Sequence, residues 1–106
     1  MNTRPRPEPV HFDRLELDRI LSLYGTFVAA GEWKDYAIDG LSDRAVFSVF
    51  RRAADAPAFV IEKQPKLARR QGQWAVRGQA GQILRRGHEL AAVLRVFDKQ
   101  KLRLVT

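Results

Sequence analysis

Apolar positions change their period along the chain, and the changes divide it into elements. In "FDRLELDRILSLYGTFVAAG", Leu17, Ile20, Leu21, Tyr24, Phe27 and Val28 recur at the spacing of one helical face. Asp13 and Glu16 have the spacing of a capping box, Phe12 and Leu17 that of a hydrophobic staple, and Gly31 stops the helix. Gly25 interrupts the pattern at a cost of about 1 kcal/mol relative to Ala, which suggests close packing of another element there.

After Gly31 the pattern becomes strand-like. "EWKDYAID", "RAVFSVFRR" and "AFVIEKQ" read as three strands separated by Asp39-Gly40 and by "AADAP", with Pro65 ending the third. In the second, Phe47 and Val49 face one way and Val46 and Phe50 the other, as expected of a central strand covered on both faces, with the two helices as candidate covers.

"QWAVRG" and "QILRRG" then flank Gln79-Ala80-Gly81, which fits a three-residue hairpin loop with Gly81 left-handed. That register sets Val76 opposite Leu84 and Trp74 opposite Arg86; a loop one residue different sets Ile83 opposite Val76 and Arg85 opposite Trp74. "HELAAVLRVFDKQ" predicts a second helix with Leu90, Val93, Leu94 and Phe97 on its stripe, and "LRLV" a short last strand. The expected order is α-β-β-β-β-β-α-β. This is an α+β fold, a largely antiparallel sheet of about five or six strands with an N-terminal and a C-terminal helix.

A chain of 106 residues suits one domain, which buries roughly two-thirds of the surface exposed by the unfolded chain. The proline-rich "MNTRPRPEPV" lacks periodicity, so residues 1–11 read as a flexible arm and 12–106 as the domain. No apolar run approaches a bilayer span and the start lacks a signal-peptide core, so no membrane association and a cytoplasmic location are expected. The lack of cysteine excludes disulfides, thiolate metal sites and cysteine nucleophiles.

Charge sharpens the picture. Residues 1–62 carry eight Lys/Arg against ten Asp/Glu, whereas residues 63–106 carry eleven against two. Such asymmetry points to a polyanionic partner, nucleic acid or an acidic protein. Between residues 66 and 87 there is no acidic side chain at all, and Lys66, Arg69, Arg70, Trp74, Arg77, Arg85 and Arg86 form the candidate polyanion site, with Trp74 as a base-stacking group. Lys63, Arg95, Lys99, Lys101 and Arg103 could extend it. The hairpin should bring "RRQGQW" and "LRRG" together on one edge. The plainer alternative is a solvated surface in which some of these cations pair with Glu62, Glu89 or the acidic first half, and Trp74, like Trp33, belongs to the core.

Catalytic signals are sparse. His11 lies in the arm, and "HELAA" at His88 lacks the second histidine of a zinc-protease helix. Glu32, Asp35, Asp39 and Asp43 occupy turn and outward positions with no calcium-loop spacing, and Gly72, Gly78, Gly81 and Gly87 match no phosphate loop. The expectation is therefore a binding module with no cofactor and no metal, not an enzyme. An adaptor or regulatory protein-interaction domain, possibly self-associating through a sheet edge, is the alternative.

"LYGTFVAAGEWKDYAID", "DRAVFSVFRRA", "IEKQPKLARRQGQWAV" and "RGHELAAVLRV…KLRLV" together resemble an alphaproteobacterial family designated domain-of-unknown-function family 2794, over about residues 12–105. The resemblance implies a bacterial cytosolic protein and assigns no functional residues.

Overall fold

A computed structural model describes residues 8–52 and 56–104. Helix α1 spans Arg14–Ala29 and opens on a full capping box. The Asp13 carboxylate accepts from the Glu16 N–H, and the Glu16 carboxylate accepts from the Asp13 N–H, both at 2.8 Å. Phe12 and Leu17 pack against the core, and Gly31 follows the cap with φ +78°. Gly25 is not a packing site: a Cβ added there meets nothing within 4 Å.

Five strands follow: β1 (Asp35–Gly40), β2 (Ala45–Phe50), β3 (Phe59–Lys63), β4 (Trp74–Arg77) and β5 (Ile83–Gly87). They form one antiparallel sheet in sequence order, β1-β2-β3-β4-β5. The chain then turns into α2 (Leu90–Leu94), a 3₁₀ turn (Arg95–Phe97) and α3 (Asp98–Leu104).

The expected last strand does not form, because the helical path runs on through Leu102, Arg103 and Leu104. Leu, Lys, Gln and Arg are good helix formers, and Leu104 reaches the core from this path while Leu102 points outward, 70% exposed. Val105 lies outside the described residues, as do residues 1–7 of the expected arm. The last part of that arm is bonded to the sheet end, where Val10 N–H donates to Leu41 O at 2.8 Å.

The hairpin tip is as expected, with Gly78 N–H donating to Gln82 O, Gly81 at φ +81° and Arg77 opposite Ile83. One residue on, a bulge at Leu84 shifts the ladder, so Val76 lies opposite Arg85, Ala75 opposite Arg86 and Trp74 opposite Gly87. Neither simple register therefore persists along the hairpin.

The core lies on one side of the sheet. Ile20, Leu23 and Phe27 of α1, with Leu90, Val93 and Phe97, cover Phe47, Val49, Phe59, Ile61, Trp74 and Val76. Aromatic rings join the layers: Phe27 stacks on the buried Trp33 at 4.4 Å, and Phe97 meets Phe59 edge-on at 5.0 Å. Both ends of the chain thus supply helices to the same face. The expectation that the helices cover both faces of β2 is corrected: Val46 and Phe50, on the other face, are only half-buried.

Candidate polyanion interface

The connection from β3 to β4 folds as tight turns held by its own backbone. Ala68 N–H donates to Pro65 O, Arg70 N–H and Gly72 N–H both donate to Leu67 O, and Gln64 N–H donates to Gln73 O. Because successive turns project side chains outward, Lys66, Arg69 and Arg70 are all exposed. None of the three has an ion-pair partner among the described residues.

This connection folds against the end of β5. Gly72 takes φ +102°, and a Cβ there would run into the Gly87 backbone, so only glycine permits this approach. His88 Nδ1 donates to Ala68 O at 2.9 Å, and Arg86 Nη1 donates to Gly72 O at 3.2 Å with Gln64 Oε1 at 3.5 Å. "RRQGQW" and "LRRG" do converge on one edge. The neutral acceptors that hold Arg86 leave its charge unneutralised.

The remaining candidates are placed differently. Trp74 is 3% exposed; Phe12 stacks on it at 6.1 Å and the Lys63 ammonium lies 5.9 Å from its ring centroid. No face is open to a base, which corrects its assignment as a stacking group. Arg77 lies on the outer sheet face, where its Nε donates to Glu62 Oε1 at 2.8 Å and its Nη1 to Gly81 O. Arg44 binds the other Glu62 oxygen at 3.0 Å. Glu62 is only 5% exposed, so the cation on each side compensates the cost of burying its charge. Arg85 points to the helix side and donates to Ala92 O at 3.0 Å, which satisfies a carbonyl of α2. Lys63 pairs with Glu16.

Electrostatics around the turn are weakly opposed by acids. The Arg44 side-chain hydrogen bond, with the charges of Arg44 and Lys66 adding to it, holds the Asp43 carboxyl below the ordinary aspartate value of 3.8. Asp43 thus offsets part of Lys66, while Arg69 and Arg70 form no ion pair among the described residues. Sequence reading found these two cations but could not tell them from Arg77. Distinguishing them required the register that places Glu62 between Arg44 and Arg77; the signal in the sequence was Glu62 itself, an acid in the apolar β3 segment.

Concave surfaces lie elsewhere. A groove of about 620 Å³ between α1 and the C-terminal helices is lined by Leu15, Asp18, Arg19, Leu94, Arg95 and Asp98 among others, and one of about 210 Å³ includes Glu32, Trp33 and Arg51. Neither includes His88. Among the described residues no three His, Asp or Glu side chains are close enough to share a metal ion, and no helix is long and apolar enough to cross a membrane.

Fold and surface together define a small α+β protein built on a five-stranded meander, with Lys66, Arg69 and Arg70 exposed on a structured turn. The chain belongs to the family described as protein of unknown function (DUF2794), whose model matches residues 10–94, from the segment entering α1 to the end of α2. No curated protein and no solved structure matches it.

Proposed function

We propose that this protein is a non-catalytic, cytoplasmic module that binds nucleic acid or a similar polyanion through Lys66, Arg69 and Arg70, with Arg86 beside them. The observation carrying this reading is the pattern within residues 63–87: Lys63 and Arg77 have carboxylate partners and Arg85 turns to the helix side, whereas these four have no carboxylate partner among the described residues and three of them share one exposed turn. The turn that presents them is fixed by backbone bonds and by the Gly72 and Gly87 contact, so little order has to be gained on binding.

With Trp74 buried, this reading rests on phosphate contacts and not on base stacking, and binding is indifferent to sequence. Three or four phosphate contacts give log Kd a slope of roughly 2 to 3 against log salt on a single strand. The test is fluorescence anisotropy with a labelled single-stranded oligonucleotide at two salt concentrations. Charge reversal at Arg69→Glu with Arg70→Glu should weaken binding by at least about tenfold at low salt and flatten the slope. Equal affinity for this variant, with its circular dichroism unchanged, would overturn the proposal.

A further inference from the structure

The sheet has a second face, on which apolar and charged positions are mixed. Paired residues share a side, so the outer face carries one row of Ala37, Ser48, Val60, Arg77 and Ile83 and a second of Asp39, Val46, Glu62, Ala75 and Arg86, with Asp35 and Phe50 beyond. Val46, Phe50 and Val60 are half-buried and Ala37 and Ile83 exposed, while the described core residues of all the helices lie on the opposite side. β-branched and aromatic side chains at these positions suit a sheet covered on both sides.

The charges on this face indicate what covers it. The carboxylate of Asp39, on edge strand β1, has no ion pair or hydrogen bond among the described residues, and Arg86, on edge strand β5, is held only by neutral acceptors. They occupy opposite ends of the same row, separated by four strand spacings or about 19 Å. A two-fold axis lying along β3 reverses strand order while keeping each row in place. It therefore sets Asp39 over Arg86 of a second copy, twice, with Ala37 over Ile83, Val46 over Ala75, and Val60 and Glu62 each over its own equivalent, the Glu62 charge being compensated within each copy by Arg44 and Arg77. The alternative axis, across the strands, would set β1 over β1 and acid over acid.

We propose that the outer face is a homodimer interface in which two copies stack sheet to sheet about an axis along β3. Five strands about 4.8 Å apart and five residues long give a plan area of about 400 Å² per copy, roughly 800 Å² over both, which is the size of a weak, reversible interface and calls for high protein concentration to observe it. The inference shares Arg86 with the polyanion reading, and the Asp39 and Val60 substitutions, which lie outside the basic turn, separate the two.

Sedimentation equilibrium of the full chain tests it. The mass should rise from 12.1 kDa toward twice that value as concentration increases to about 200 µM. Asp39→Arg and Arg86→Asp should each weaken association about tenfold and their combination should restore it, which a folding defect would not do. Val60→Glu, which adds like charges on the axis without the cations that compensate Glu62, should leave only monomer with the fold retained by circular dichroism. A constant 12.1 kDa mass over that range, or a dimer indifferent to all three substitutions, would overturn the proposal.

Discussion

Two glycines show how differently one residue type can act. Gly25 sits inside α1 with open space around its Cα, so Gly25→Ala adds helix propensity without a clash. It should stabilise the protein by about 1 kcal/mol in denaturant melts. Gly72 combines φ +102° with direct contact against the Gly87 backbone. Gly72→Ala therefore combines strain with displacement of the turn from β5, and should destabilise by about 2 kcal/mol or more. Similar melts for the two variants would contradict this account. The sequence suggested close approach at Gly25 because a mid-helix glycine usually needs a packing reason; only the fold shows that the approach is at Gly72.

Among the elements, α1 and the five strands were legible because capping, turn residues and periodicity agree over each segment. The hairpin was legible at its tip and not beyond it. Ile83 and Leu84 are both apolar, so alternation could not reveal a bulge that leaves Leu84 between the pairs Arg77–Ile83 and Val76–Arg85. Leu102 and Leu104 misled in the same way: a four-residue apolar and basic run fits strand or helix, and continuity from Phe97 settles it as helix. Carbon chemical shifts over residues 98–104 should be helical, and Val76 and Arg85 should show cross-strand contacts. Extended shifts at 102–104, or contacts from Val76 to Leu84, would contradict the structure.

For the whole molecule, the decisive property is that strand order equals sequence order. A gradient of charge along the chain then becomes a gradient across the sheet, from Asp35 and Asp39 on β1 to Arg86 on β5 and the adjoining turn. The sequence count could state the asymmetry but not its geometry, since an interleaved sheet would have cancelled it. Pairing then removes Arg44, Lys63 and Arg77 from the free set, and burial removes Trp74. What remains of residues 66–87 on this edge is the exposed turn with Lys66, Arg69 and Arg70, and Arg86; Arg85 turns to the helix side, and Arg95, Lys99 and Lys101 lie on the C-terminal helical segment. The most direct test of this edge is an amide-shift titration of the labelled protein with short DNA and RNA at two salt concentrations. Shifts confined to residues 66–72 and 86–88, diminishing at the higher salt and leaving the Trp74 indole unchanged, are the predicted result. No shifts in the turn, or shifts centred on the Trp74 indole, would contradict it.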